Sequence, residues 1–212
     1  LASVKGLADE ILGGDTGSSD RTREVARKGG ARVLEVDWQG DFAGARNAVL
    51  FAAKGDWILV LDCDEVLARQ DWEEVRQTAA SGLAAGYRMT TRNYMQESNR
   101  VDWQACTGAY AEEKSYPGWF PTTKVRLFRN DPRIRFEGAL HELVEGSIEA
   151  IGEPIGDCLA PIHHYGYVEK ERSGARVVLY ADAAERKMVE QPENPKAFYE
   201  LALLRRDGGE LE

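Results

Sequence analysis

No apolar run in this sequence approaches the roughly 20 residues that a helix needs to cross a bilayer. No basic-then-apolar leader opens it either. Basic residues are scattered: Lys and Arg number 27 against 36 Asp and Glu, leaving a formal net charge of -9. Without a dense cationic stretch, nucleic acid is excluded as a main partner. Cysteine is scarce too. Cys63, Cys106 and Cys158 form no CxxC pair and are odd in number. That pattern excludes a disulfide framework or zinc knuckle and fits thiols kept reduced in a cytosol. Low-complexity tracts are absent. The expectation is a soluble, cytoplasmic chain, with a peripheral position at the inner face of the membrane as its variant.

What is present suffices for a full core: 43% of the 212 residues are apolar, which suits one domain plus a fragment of another. The first half alternates strand and helix. Strands are expected over 9–15, 31–38 and 57–64. Helices are expected over 20–30, capped by Ser19 or Asp20, over 41–55, capped by Asp41, and over 71–82. The third strand is continuously apolar and reads as buried on both faces. Repeated units of this length imply a parallel sheet with helices on both sides. After residue 85 the pattern changes. Segments 86–95 and 123–130 alternate as antiparallel strands do, and the stretch between them holds Trp103, Tyr110, Tyr116, Trp119 and Phe120. Residues 134–144 read as another strand-like piece. The segments 169–190 and 194–212 read as helical, separated by Pro192 and Pro195.

The chemistry concentrates in "WILVLDCDEVL", residues 57–67, where an apolar strand runs into Asp62 and Asp64. Like charges so close repel, so a cation or open water must face them. In open parallel sheets ligands bind beyond the carboxyl ends of the strands, and Asp15 sits at another such end. Hard carboxylate ligands suit Mg²⁺ or Mn²⁺, which fill their remaining positions with water and phosphate oxygens. A divalent ion joining this strand end to a diphosphate resolves the repulsion. A solvated turn capped by Asp62 resolves it equally well when the motif is taken alone.

The combination of "DTGSSDRT" with "GDFAGARNAVLFAAKGDWILVLDCDEVL" resembles the family 2 glycosyltransferases of the GT-A fold. The shared pattern is a strand ending in Asp with a Gly-Ser turn (Asp15 to Asp20), a helix carrying Ala45-Arg46-Asn47, the turn Ala53-Lys54-Gly55-Asp56, and Asp62-Cys63-Asp64. "KVRLFRNDPRIRFEGALHELV" and "PIHHYGY" look like the bacterial branch that often continues into tetratricopeptide repeats, and "NPKAFYELALLRRDGG" looks like the first helix of such a repeat. The resemblance implies an α/β GT-A domain over 1–168, a Rossmann-like mixed sheet with helices on both faces. A helical, tetratricopeptide-like extension would follow over 169–212. It implies an inverting, metal-dependent enzyme that moves a sugar from a nucleotide-diphosphate donor, a UDP-sugar first, to a glycan, lipid-linked or protein acceptor.

Carried onto this chain, the resemblance gives Asp15 and Arg46 to the nucleotide pocket and Asp62 to the ribose or the metal's waters. Asp64 would bind Mn²⁺ or Mg²⁺ directly. His163 and His164 stand where a histidine distal in sequence would complete the metal shell, but with a strand period of two only one of them can face the site. Glu142 is the expected base, with His141 orienting it or touching the diphosphate; Glu97 and Asp102 are the next candidates. Acceptor choice would lie in the 96–120 loop. The chain departs from the family at Gly13-Gly14, which replace apolar residues of a strand. It also lacks the family's first central strand, so a further N-terminal segment or another chain is expected at that sheet edge.

Two other readings compete. Haloacid-dehalogenase-like phosphatases also place DxD after an apolar strand, with the first Asp as nucleophile. There the motif usually lies on the first strand, whereas two strands precede it here. A non-catalytic repeat scaffold would explain the tail but not the intact acids.

Overall fold

The structure is a computed structural model. It describes residues 1–98, 100–138 and 142–166, and beyond them 184, 185, 188, 189, 192–195, 198, 199, 201, 202 and 205. His141, the end of the expected first domain at 167–168 and most of the expected helical extension lie outside the described residues. The described positions at 184, 185, 188, 189, 195, 198, 199, 201, 202 and 205 are helical.

In chain order the elements are β1 (Leu12–Asp15), α1 (Thr22–Lys28), β2 (Arg32–Glu35), α2 (Phe42–Leu50), β3 (Trp57–Leu59), β4 (Glu65–Leu67), α3 (Trp72–Ser81), β5 (Gly86–Met95), β6 (Gln104–Ala105), β7 (Gly118–Arg129), α4 (Glu145–Ala150), β8 (Ile155–Asp157) and β9 (Ile162–His164). β1 and β2 form a parallel pair, as their connection through α1 requires. The larger sheet runs β3-β7-β5-β9-β4, with β6 beside β7 and β8 beside β5. Within it β7 is antiparallel to both β3 and β5, while β8 and β9 run parallel to β5. The expected switch from alternating strand and helix to long antiparallel strands is therefore present, and β5 spans the expected 86–95.

Helices cover both faces of this sheet. On one, Val75 of α3 packs with Leu67, Tyr87, Met89, Leu127 and Ile162. On the other, Ala43 of α2 and Ile148 of α4 pack with Val125, Phe128, Ile134 and Val144. Met89, Phe128, Ile148 and Ile162 are fully buried, and each such side chain contributes about 1.5–3 kcal/mol. α3 stops at Gly82, whose φ of 64° ends the helix in the left-handed region.

The parallel sheet expected from the first half is confined to β1 and β2, because β3 joins the other sheet antiparallel to β7. β1 and β2 are shorter than the expected 9–15 and 31–38, Arg21 rather than Ser19 or Asp20 precedes α1, and Asp41 makes no side-chain cap bond to α2. Other elements differ too. α2 ends at Leu50, where Ala52 and Ala53 close short turns onto Val49 and Leu50. The strand expected over 57–64 covers only Trp57–Leu59 and is half-buried rather than enclosed. Its paired edge, among the described residues, faces β7. In the neighbouring β5–β7 ladder Tyr87 faces Leu127 and Arg88 faces Val125, so Arg126 is an extra residue in β7. Such a bulge bends its strand and re-aims side chains, while the Arg126 carbonyl still accepts from Val60 in register with β3. Finally, 134–144 holds an isolated bridge, Glu137 to Leu143, rather than a strand.

Candidate functional site

The site is assembled by two adjacent residues of α2. Asn47 forms a two-way bond with the backbone of Phe136: its Nδ2 donates to the Phe136 carbonyl at 2.9 Å and its Oδ1 accepts from the Phe136 N–H at 2.8 Å. That fixes the segment leading toward Glu142. Arg46, one residue earlier, lies with its guanidinium 5.5 Å from the Phe136 ring centre. It donates from Nη2 to Asp62 Oδ1 at 2.7 Å and from Nε to Glu142 Oε1. Three residues expected at the site from sequence, on α2, after β3 and before α4, are thus joined through one side chain.

Asp62 has a second cation. Arg126 Nη1 lies 3.7 Å from Asp62 Oδ2, while its Nη2 donates to Glu65 Oε1 at 2.6 Å. Glu65 Oε2 in turn accepts from the Asp62 N–H at 2.8 Å. Burial alone would raise the Asp62 pKa, but Arg46 and Arg126 together outweigh it and hold it below the usual carboxylate value. For Glu65 burial wins over Arg126, and its pKa is raised. The repulsion between Asp62 and Asp64 is therefore relieved at Asp62 by arginines of the protein itself.

Asp64 faces elsewhere. Its Oδ2 lies 3.4 Å from His164 Nε2, and His164 Nδ1 pairs with Asn93 Oδ1 at 2.7 Å, which orients the ring. Gly166 closes this corner. A Cβ there would stand 2.5 Å from His164 Nε2 and 2.6 Å from Asp64 Oδ2, so a side chain at 166 would fill the space that both donors border. His163 points the other way, as the period of two demands. Its ring is fully buried, with Nδ1 2.7 Å from the Tyr94 hydroxyl and Tyr110 packed against it. Burial depresses its pKa to about 4.

Of the four side chains expected around a metal, then, the structure brings Asp64 and His164 together, gives Asp62 to Arg46 and Arg126, and sends His163 into the core. Among the described residues no group of three or more His, Cys, Asp or Glu side chains is arranged to hold a metal ion. Two protein donors still fit Mg²⁺ or Mn²⁺, which commonly take one or two carboxylates and complete the shell with water and phosphate. The open corner at Gly166 is consistent with that.

Asp15 ends β1 as expected but is already engaged. Its carboxylate accepts from the Ser18 N–H at 3.2 Å and 3.3 Å and pairs with Arg23 Nε at 3.1 Å. Hydrogen bonds from Ser18 hold its pKa below the ordinary value. Glu97 and Asp102 lie in the 96–120 loop, where Asp102 is tied to Arg100. That loop is pinned from within: Glu113 is buried, bonds Arg92 at 2.6 Å and accepts from the backbone of Thr107 and Gly108. Trp119 and Phe120 are core residues, whereas Tyr116 stacks on Tyr94 at 5.0 Å and remains half-buried.

Glu65, Lys124 and Arg126 were not expected at the site. "KVR" offers a signal, since alternation would place Lys124 and Arg126 together, but nothing in the sequence marks the bulge that seats Arg126 between Asp62 and Glu65.

With this geometry in hand, similarity to known proteins is informative. The family model described as "Glycosyl transferase family 2" matches residues 1–139. A TPR repeat-containing protein of Synechococcus elongatus is 39% identical over 174 residues, covering 79% of this chain and 38% of that protein. The SPbeta prophage-derived glycosyltransferase SunS of Bacillus subtilis is 24% identical over 98% of this chain and 46% of its own length. The chain therefore spans less than half the length of these curated relatives. A crystal structure of S. aureus TarS 1-349 in complex with UDP is similar over 96% of this chain and 65% of that one, at 14% identity and a TM-score of 0.48.

Proposed function

Because the chain belongs to glycosyl transferase family 2, with the GT-A architecture that membership brings, we propose that it transfers a sugar with inversion from a nucleotide-diphosphate donor to an acceptor hydroxyl. The observation that carries this reading is the Arg46 bridge. One guanidinium gathers Asp62 and Glu142 at the rim where Asp64 and His164 also meet.

The reaction is a single displacement. The acceptor oxygen bonds to the anomeric carbon as the bond from that carbon to the diphosphate oxygen breaks, and the electron pair leaves with the diphosphate. The hydroxyl proton passes to the Glu142 carboxylate, a transfer that typically contributes 10²–10⁴-fold in rate. Arg46 holds Glu142 in place through Oε1, so the proton goes to Oε2. Asp64 and His164 would hold Mn²⁺ or Mg²⁺, which supplies Lewis-acid stabilisation of charge on the diphosphate. Asp15 and the Ser18 turn border the nucleotide side. Two guanidinium groups at Asp62 blunt it as a nucleophile, which counts against the phosphatase reading.

A panel of nucleotide sugars, UDP-sugars first, tests this by nucleoside-diphosphate release with Mn²⁺, water serving as the default acceptor. One donor should be turned over by the wild type. Glu142→Gln should still bind that donor but release nucleotide at least about 100-fold more slowly. A wild type that neither binds nor cleaves any donor would refute the reading.

A further inference from the structure

Around Asp62 the described arginines are already committed: Arg46 divides between Asp62 and Glu142, and Arg126 between Glu65 and Asp62. These pairs neutralise the protein's own acids and leave little cationic capacity for an anionic ligand. Lys124 differs. It lies on β7 opposite Met89, two residues before the bulge, and is half-buried. Among the described residues its ammonium makes no hydrogen bond and no ion pair. It lies on the same strand as Arg126, and the charges that act on it are those of Arg126, Glu142, Asp62 and Arg46. Burial, and then Arg126, hold its pKa below that of an ordinary lysine.

A partly desolvated ammonium without a hydrogen-bond acceptor is unfavourable and is relieved by a strong anionic acceptor. We propose that Lys124 is a donor-binding residue whose ammonium bonds the diphosphate of the nucleotide sugar, on the phosphate that departs from the sugar. This rests on the donor reading above. A flexible point charge suits that role, because it can follow a phosphate oxygen as negative charge grows there, while the rigid forks of Arg46 and Arg126 stay on their carboxylates. The competing role is purely structural, a counter-charge offsetting Asp62 and Glu142.

Calorimetric titration of UDP, GDP, CDP and dTDP, each beside its parent nucleoside, separates the two. The proteins are the wild-type chain, Lys124→Met and Lys124→Arg. For the diphosphate that the wild type binds, Lys124→Met should weaken affinity about tenfold or more. It should leave affinity for the parent nucleoside unchanged, and Lys124→Arg should restore much of the loss. Equal loss for nucleoside and diphosphate, or no loss at all, overturns the assignment while leaving the donor reading intact. If the wild type binds none of the diphosphates, the donor reading fails and Lys124 fails with it. Urea unfolding of each variant shows whether the site is still folded, and Lys124→Arg serves if Lys124→Met is not.

Discussion

Along the rim of the site charge is met by charge: Asp62 by Arg46 and Arg126, Glu65 by Arg126, and Glu142 by Arg46, while Asp64 lies beside His164. Behind that rim stands an aromatic wall. Tyr94 stacks on Tyr116 and Tyr165 at 5.0 and 5.4 Å, and His163 lies 4.7 Å from Tyr110. His163 and His164 are neighbours in the chain, yet one is spent inside the wall and the other turns to Asp64. Tyr94 of β5, bonded to and stacked on His163 of β9, ties these two strands together. Wall residues answer to folding alone, and rim residues to folding and ligands together. Substitutions should separate the two.

The largest stability effect is expected where the rim is most buried. Arg126→Met strands Glu65, whose side chain is only 3% exposed. Breaking such a pair from one side costs about 3–5 kcal/mol. Urea unfolding should register the loss, and adding Glu65→Gln should recover part of it.

His163 gives the next effect, and it depends on pH. The unfolded chain protonates this histidine near its ordinary 6.5, whereas the folded chain resists until about 4 because the ring is buried, with Arg92 adding to the effect. Stability is therefore full above the unfolded value and drains as pH falls toward the folded one, by about 1.4 kcal/mol per pH unit. Between pH 7 and pH 5 the wild type should lose about 2 kcal/mol from this group. His163→Gln should flatten that part of the profile, and an unchanged slope would mean that the ring is not the titrating group.

A smaller change in stability, with a clear change in ligand response, is expected at Gly166. The alanine Cβ must push apart the tips of His164 and Asp64, which are side-chain ends and can yield, so unfolding should shift by less than about 1 kcal/mol. Mn²⁺-dependent nucleotide binding should weaken all the same. Full retention of that binding would show that this corner does not hold the ion.

Much of the rim was legible in the sequence because its residues are marked by context. Arg46 sits in Ala45-Arg46-Asn47, Asp62 and Asp64 end an apolar strand, and strand periodicity required His163 and His164 to diverge. What could not be read depends on register and partners. Alternation along "KVRLF" is broken by one extra residue at Arg126, so the cation that pairs with Glu65 has no signature in a pattern of period two. Nothing in the position of Glu65 after the DxD marks it, yet it is buried beneath Arg126. Asp15 could be placed at a strand end, but not its bonds to Ser18 and Arg23, which depend on how the turn closes. The third strand looked fully enclosed by its run of apolar residues. It is half-buried and pairs, among the described residues, with β7 alone.

The central claim, that the rim binds a nucleotide-diphosphate donor through Asp64, is tested most directly by calorimetry of UDP with and without Mn²⁺. Wild type is compared with Asp64→Asn, and the other nucleoside diphosphates are substituted if UDP is silent. Asp64 lies beside His164 and carries none of the Arg46 or Arg126 pairs, so the variant should fold normally. The account predicts Mn²⁺-dependent binding by the wild type and its loss, by about 100-fold or more, in Asp64→Asn. Mn²⁺-dependent binding of equal strength in the two proteins would contradict it.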